Sequence, residues 1–223
     1  MSFQDTYELN NGVRIPAFGL GTWQSKSQEV YQAVLTALKA GYKHIDTAAV
    51  YRNEKEVGQA IKDSGIPRKE IFITTKLWNT SHRPELVEKA LDQSLADLQL
   101  DYVDLYLMHW PVAFQPSKSA FPKDDKGKVA LDQSTSFVDT YNAMEKLVEM
   151  GKVRAVGVSN FNIQNLERIL KHCKSAPTVN QVELHPYLSQ PDLILFCQKH
   201  NIHVTAYSPL GSTHSPVMQE PLV

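Results

Sequence analysis

The sequence predicts an α/β protein, a (β/α)8 TIM barrel that is preceded by an N-terminal β-hairpin. Seven short apolar segments alternate along the chain with six segments that have the apolar spacing of amphipathic helices. The apolar segments are near-continuous runs, which is typical of parallel strands that are buried on both faces. Regular alternation of strand and helix predicts parallel strands joined by crossover helices.

An open, doubly wound sheet would also satisfy this alternation. Its dinucleotide-binding pattern needs a third glycine, whereas the segment Gly19-Leu20-Gly21 has only two. No segment matches a phosphate-binding P-loop either. The pattern therefore favours the barrel over the open sheet.

The elements can be placed in order along the chain. A hairpin is predicted over 6–18, where Asn11 and Gly12 are expected to supply the positive φ angles of a tight turn. Gly41 suits the C-cap of the first helix, and Pro84 suits the first turn of the third. The strands are predicted at 18–22, 43–47, 71–77, 103–108, 153–158, 178–184 and 203–207. The helices are predicted at 28–40, 53–63, 84–100, 137–149, 163–171 and 191–199.

The predicted barrel lacks its eighth strand. This architecture typically needs ~250 residues, whereas the seventh predicted strand lies close to residue 223. We expect residues 1–223 to form a single barrel domain that is incomplete at its C-terminus, without the last strand and its flanking helices. Because such a barrel exposes two sheet edges, this polypeptide is expected to be poorly stable alone.

Composition favours a soluble cytoplasmic protein that binds neither nucleic acid nor membranes. The 223 residues have a net charge of −1, with the two signs interspersed. No apolar run approaches the ~20 residues of a membrane span, and the first residues lack a secretory signal pattern. Cys173 and Cys197 are expected to be buried free thiols.

Polar or aromatic side chains lie at or near the carboxyl ends of all seven predicted strands, where barrels carry their functional residues. Taken singly, Asp46 could be a helix cap, Lys76 a solvated charge and His109 a core histidine. Because polar or aromatic residues occur at the end of every predicted strand, we expect them to form one polar site. The residues at these ends are Thr22, Trp23, Asp46, Lys76, His109, Ser159, Asn160, Gln181, Tyr207 and Ser208.

Four ionisable groups suggest proton transfer to a carbonyl oxygen. Asp46 beside Lys76 would form a buried ion pair, which keeps the lysine charged. We expect this ammonium to lower the pKa of Tyr51 below its reference value of ~10, as suits a general acid. His109 could donate a hydrogen bond to the same oxygen.

No side chain supplies the group that attacks the carbonyl carbon. There is no Gly-x-Ser-x-Gly motif, and the eight histidines show no metal-ligand spacing. Hydride from a nicotinamide fits this requirement. An aldolase-type barrel with a Schiff base on Lys76 is the alternative. The ion pair with Asp46 argues against it, because the attacking amine must be neutral.

Six ordered motifs resemble those of the aldo-keto reductase family, in its aldehyde, alcohol and glycerol dehydrogenase-like branch. They are GYKHIDTA at 41–48, YRNE at 51–54, LMHWP at 107–111, GVSNF at 157–161, QVELHP at 181–186 and AYSPLG at 206–211. The resemblance implies an NADPH-dependent reductase of small aldehydes, ketones or sugars, reversible toward alcohols and monomeric at full length. It also implies that the long segment 110–136 is a loop over the active site.

The resemblance assigns roles to individual positions. Tyr51 would be the general acid, Asp46 and Lys76 would tune its pKa, and His109 would orient the carbonyl. Tyr207 would stack on the nicotinamide ring. The expected cofactor contacts are Thr22, Trp23, Asp46, Ser159, Asn160, Gln181, Tyr207, Ser208, Leu210 and Ser212. The expected substrate contacts are Trp23, Tyr51, Trp78, His109 and Trp110, and no metal is expected.

The family's final strand and helix, which hold the adenosine 2′-phosphate, have no counterpart in residues 1–223. A preference for NADP over NAD therefore rests on kinship alone. The alternative function is a truncated or inactive aldo-keto reductase-like protein with weakened cofactor binding. The complete set Asp46, Tyr51, Lys76 and His109 favours an active enzyme.

Overall fold

A parallel sheet of seven strands, wound in sequence order, forms the centre of the computed structural model. The structure describes residues 5–212, 215–219 and 221. The hairpin strands are β1 (Thr6–Glu8) and β2 (Arg14–Pro16). The barrel strands are β3 (Leu20–Gly21), β4 (His44–Asp46), β5 (Phe72–Leu77), β6 (Val103–Met108), β7 (Val153–Ser159), β8 (Val179–Glu183) and β9 (His203–Tyr207). The helices are α1 (Ser27–Lys39), α2 (Glu54–Asp63), α3 (Pro84–Leu98), α4 (Phe137–Glu149), α5 (Ile163–His172) and α6 (Pro191–Lys199).

The order of the strands decides between the two predicted architectures. Each strand from β3 to β8 pairs in parallel with the next strand of the chain, so the sheet runs in order from β3 to β9. A doubly wound sheet would reverse its strand order at a switch point, and no reversal occurs here. The prediction of a barrel is therefore confirmed. The prediction of a C-terminally incomplete domain rests partly on residues 222 and 223, which lie outside the described residues.

Several boundaries differ from the prediction for local reasons. The first barrel strand is short, because only Leu20 and Gly21 have register partners on β4. Helix α3 ends two residues earlier than predicted, because Gln99 adopts the left-handed conformation at its C-cap. The first helix ends near Gly41 as expected, with a φ of 100° at this glycine.

The hairpin closes the amino-terminal end of the barrel. Leu9 and Ile15 are buried in one cluster with Leu105 and Val179 of the barrel strands. The side chain of Asn10 donates to the carbonyl of Pro177 at 3.0 Å. The hairpin therefore acts as a plug, which leaves the opposite end of the barrel open for a site.

The turn of the hairpin corrects one prediction. Gly12 has a φ of 81°, whereas Asn11 is not among the described residues with positive φ. The loop is longer than a two-residue turn, because it includes a hydrogen bond from the Leu9 amide to the Val13 carbonyl at 2.8 Å. Only one left-handed residue is therefore needed.

A larger apolar core fills the space between the sheet and the surrounding helices. It includes Val34 of α1, Leu91 of α3 and Tyr141 of α4, all fully buried. Cys197 is buried as expected, but Cys173 is only half-buried, and both are free thiols. Among the described residues, no helix has the length and apolar character needed to cross a bilayer.

Candidate active site

A buried ion pair links β4 and β5 at the open end of the barrel. Asp46 is the last residue of β4, and its Oδ1 accepts a hydrogen bond from the Lys76 ammonium on β5. Lys76 is 1% exposed and also donates to the carbonyl oxygen of Thr47 at 2.9 Å. From β8, Gln181 Nε2 reaches Oδ2 of Asp46 at 2.7 Å. Both carboxylate oxygens are thus satisfied, as a buried charge requires.

Tyr51 lies against this pair on a single helical turn, Ala49–Tyr51, that follows β4. The Lys76 Nζ lies 5.1 Å from the centre of the Tyr51 ring. The His109 ring, after β6, lies 5.7 Å from the Tyr51 ring at an interplanar angle of 79°. The structure therefore brings Asp46, Tyr51, Lys76 and His109 together, while their catalytic roles stay predictions.

The electrostatics of this cluster correct the expected pKa of Tyr51. Burial raises the pKa of Tyr51 above 10.0, although the charge and hydrogen bond of Lys76 act in the opposite direction. The predicted fall below 10 was wrong, because it counted the ammonium and not the loss of solvent. Burial also acts to lower the pKa of Lys76. The Asp46 carboxylate and Tyr51 outweigh it, so the pKa of Lys76 is raised and the lysine stays charged.

His109 is a neutral imidazole in this environment. Burial, followed by the nearby charges of Lys76 and His82, lowers the pKa of His109 to about 2. A neutral imidazole carries one N–H, so it can donate a hydrogen bond but does not compete with Tyr51 as a proton source. The His109 ring also contacts Trp78, with 5.2 Å between ring centres.

A second hydrogen-bonded group occupies the ends of β7, β8 and β9. Ser159 Oγ donates to the Gln181 carbonyl at 2.8 Å, and Asn160 Nδ2 donates to the His109 carbonyl at 3.0 Å. The Tyr207 hydroxyl donates to Asn160 Oδ1 at 2.9 Å. Tyr207 is half-buried, so its fixed ring retains accessible surface. These side chains fit the planar ring and amide of a nicotinamide, because they combine an immobilised aromatic ring with oriented amides.

The remaining predicted cofactor residues are more dispersed. Thr22 is buried, and its hydroxyl donates to that of Thr47 at 3.0 Å. Trp23 and Leu210 are more than half exposed. Ser208 has a φ of 47° and its carbonyl accepts from the Gly211 amide at 2.8 Å, which forms a tight turn. Ser212 lies after this turn, and its carbonyl accepts from the Ser215 amide at 2.8 Å.

An aromatic wall lies beside His109, formed by Trp78 after β5 and by residues of the loop that follows β6. Trp78 Nε1 donates to the Ala120 carbonyl at 2.7 Å, and the Trp78 ring lies 5.4 Å from that of Phe121. Trp110 is 41% exposed. It lines a cleft of about 650 Å³ together with Asn160 and Tyr207. The loop therefore covers Trp78, and it places aromatic surface near the ionisable groups.

Sequence reasoning missed three residues that support the site. Thr47 offers its carbonyl to Lys76, Asn53 binds the turn after β3, and Glu54 binds the hydroxyls of Thr75 and Ser94. The 51–54 motif contained Asn53 and Glu54, but its pattern carried no information about their distant partners.

The fold and the site define a (β/α) barrel enzyme that carries its ionisable groups at the carboxyl ends of the strands. The sequence pattern of the Aldo/keto reductase family matches residues 17–215. The chain belongs to this family of oxidoreductases.

Individual relatives agree with this membership. The chain is 55% identical to glycerol 2-dehydrogenase (NADP(+)) of Saccharomyces cerevisiae, over 96% of the chain and 71% of that protein. It is 51% identical to human aldo-keto reductase family 1 member A1, over 92% of the chain and 64% of that protein. The aldose reductase structure from Schistosoma japonicum superposes with a TM-score of 0.90 and 44% identity. That match covers 93% of this chain and 70% of the other.

Proposed function

We propose that this protein is an NADPH-dependent reductase that converts the carbonyl of a small aldehyde, ketone or sugar to an alcohol, reversibly. The observation that carries the proposal is the placement of Tyr51 between a charged Lys76 and a neutral His109. Similarity to a glycerol 2-dehydrogenase (NADP(+)) supports NADP(H) as the cofactor and a small hydroxylated compound as a substrate.

Side chains of the protein would bind and protonate the carbonyl oxygen of the substrate. His109 donates its N–H to that oxygen and Tyr51 transfers its phenolic proton to it. The Lys76 charge stabilises the phenolate that remains, and Asp46 keeps Lys76 charged. When bound, the nicotinamide supplies a hydride to the carbonyl carbon, so hydride and proton together yield the alcohol. The reverse reaction returns the proton to Tyr51.

The cofactor would lie across the ends of β7 to β9. Asn160, Gln181 and Ser159 would hold the carboxamide, and Tyr207 would stack on the ring. Thr22, Trp23 and Asp46 would border the ribose, and the turn with Ser208, Leu210 and Ser212 would approach the pyrophosphate. Trp23, Trp78 and Trp110 would wall the substrate. A cytoplasmic location and a monomeric state stay predictions.

The direct test is product analysis with the purified protein. We expect NADPH to be consumed in equal amount with alcohol formed from small aldehydes, and NADP⁺ to be reduced with glycerol-like alcohols. Borohydride treatment with substrate, without cofactor, should leave Lys76 unmodified, because its raised pKa keeps it protonated. A covalent substrate adduct on Lys76, with no NADPH consumption, would favour the Schiff-base alternative instead.

A further inference from the structure

Asn53 joins the turn that carries Tyr51 to the turn that carries Thr22. It is 2% exposed, and its Nδ2 donates to the carbonyl oxygens of Thr22 at 2.9 Å and Ser25 at 3.3 Å. Both acceptors lie about 30 residues earlier in the chain, between β3 and α1. Asn53 therefore holds a segment that is distant in sequence but adjacent in the barrel.

The oxygen of the Asn53 amide is linked to Lys76 through Thr47. Oδ1 of Asn53 accepts from the Thr47 hydroxyl at 3.3 Å. The Thr47 carbonyl in turn accepts from Lys76 Nζ at 2.9 Å. One side chain thus connects, through Thr47, the segment of Tyr51 with the lysine that acts on Tyr51.

This use of Asn53 replaces its usual local role. Asn53 is the N-cap of α2, a position where asparagine normally accepts a hydrogen bond from its own helix. Its side chain makes no such bond. Asn162, the N-cap of α5, does cap its helix, by accepting from the Asn165 amide at 2.9 Å. The side chain of Asn53 is therefore committed to the tertiary links.

The backbone beside Tyr51 also needs support. Arg52, which precedes Asn53, has a φ of 58° and a ψ of 30°, a left-handed conformation that is unfavourable for a residue with a Cβ atom. The residue after Asn53, Glu54, is buried, and its carboxylate accepts hydrogen bonds from Thr75 Oγ1 at 2.6 Å and Ser94 Oγ at 3.0 Å. Such strained backbone persists where surrounding contacts fix it.

We propose that Asn53 is a positioning residue that sets the Tyr51 hydroxyl against Lys76 and couples it to the Thr22 turn. The inference rests on the proposed reductase function. A displaced hydroxyl would slow proton transfer, whereas carbonyl binding depends on the separate aromatic wall. Loss of Asn53 should therefore act on kcat more than on the KM of the aldehyde.

The experiment compares Asn53→Ala with Ser64→Ala, a variant at the C-cap of the same helix, where the hydroxyl makes local bonds to the Ile61 carbonyl and the Ile66 amide. For Asn53→Ala we expect kcat to fall roughly ten- to a hundredfold, as for a misplaced catalytic group. The KM for the aldehyde should stay within about threefold, and NADPH should bind several-fold more weakly, as followed by tryptophan fluorescence. Ser64→Ala should retain kcat and NADPH affinity, with a smaller loss of unfolding midpoint, because it removes local bonds at a partly buried helix end.

Two results would overturn the inference. One is an Asn53→Ala protein that is less stable but keeps kcat and NADPH affinity within about twofold of the wild type. The other is an equal loss of kcat in both variants. If the wild type reduces no carbonyl, the reductase proposal fails by itself. The NADPH affinity of Asn53→Ala then tests whether Asn53 is coupled to the Thr22 turn, and an affinity equal to that of the wild type rejects this coupling.

Discussion

Lys76 shows how a single buried charge is made tolerable. Its ammonium is almost fully enclosed, yet it has a carboxylate and a carbonyl oxygen as partners. The aromatic ring of Tyr51 lies close to the same ammonium. An unpaired buried ammonium would cost several kcal/mol and would lose its proton instead. The pair with Asp46 therefore gives the site a permanent positive charge beside a phenol.

The pKa shifts at these residues predict the pH dependence of reduction. Tyr51 must be protonated to act as an acid, and its raised pKa keeps it so across neutral pH. His109 stays neutral above its pKa of about 2. We expect kcat for aldehyde reduction to be independent of pH between about pH 5 and pH 9, and to fall only above the raised pKa of Tyr51. A limb near pH 6.5, the reference value of histidine, would contradict this account.

Glu54 gives a residue-scale prediction for stability. Burial raises the pKa of the Glu54 carboxyl above 4.5, so its ionisation weakens the fold as pH rises through the raised pKa. Glu54→Gln keeps partners for Thr75 and Ser94 and removes the charge. Its unfolding free energy relative to the wild type should rise between about pH 4 and pH 7.5 in urea unfolding.

The control for Glu54 is a variant that removes its hydrogen bonds as well. Glu54→Leu leaves two buried hydroxyls without an acceptor, which should cost about 1–3 kcal/mol each. Equal destabilisation of Glu54→Gln and Glu54→Leu at all pH values would contradict this prediction. It would mean that the size of the side chain at position 54, and not its hydrogen bonds, contributes to stability.

The residues that form the site could be predicted from the sequence, but the burial of their side chains could not. Asp46, Lys76 and His109 could be predicted because each lies at or next to the carboxyl end of an apolar strand, and these strand ends converge in a barrel. The direction of the Tyr51 pKa shift could not be predicted, because the burial of Tyr51 depends on neighbours such as His109 that arrive from other strands.

At the scale of the elements, the contact between α2 and α3 sets a tight constraint. A Cβ atom added to Gly58 on α2 would meet the carbonyl oxygen of Leu98, at the end of α3, at 2.3 Å. The obstacle is backbone, which moves less readily than a flexible side chain. The two helices can approach so closely only because residue 58 has no side chain.

Gly58→Ala should therefore destabilise the protein by about 1–3 kcal/mol, the usual cost of overpacking. The midpoint of urea unfolding would measure this loss. Gly21→Ala is the matched control, because its added Cβ meets no atom of the described residues within 4 Å beyond its chain neighbours, and its φ is not positive. That control should change stability by less than about 1 kcal/mol. Equal effects of the two changes would refute the packing argument.

The elements themselves followed the sequence closely where apolar periodicity was long. Helix α4 begins and ends at the predicted residues, because Ser136 caps its first turn. The strand β3 was overpredicted, since Phe18 is exposed and Gly19 packs over the ring of His44 instead of pairing. Short segments are decided by such tertiary contacts, which no local pattern contains.

At the scale of the whole molecule, sequential strand order makes one end of the barrel a common site. The hairpin closes the other end, so strands as distant as β4 and β8 can meet through Asp46 and Gln181. Among the described residues, β3 and β9 each have one neighbour in the sheet.

A polypeptide cut to residues 1–223 is expected to have a low melting temperature or to associate, because among the described residues no strand pairs with the outer edges of β3 and β9. Calorimetry with light scattering would test this. A sharp, reversible transition of a monomer would contradict the prediction.

The most direct measurement of the central claim is the single-turnover rate of aldehyde reduction by the purified enzyme and its Tyr51→Phe variant, with bound NADPH verified in both. The change removes one hydroxyl and keeps the ring that packs against His109. We predict a loss of roughly 10²- to 10⁴-fold in the rate, the usual contribution of a general acid, with NADPH affinity unchanged. Retention of most of the wild-type rate would reject Tyr51 as the proton donor.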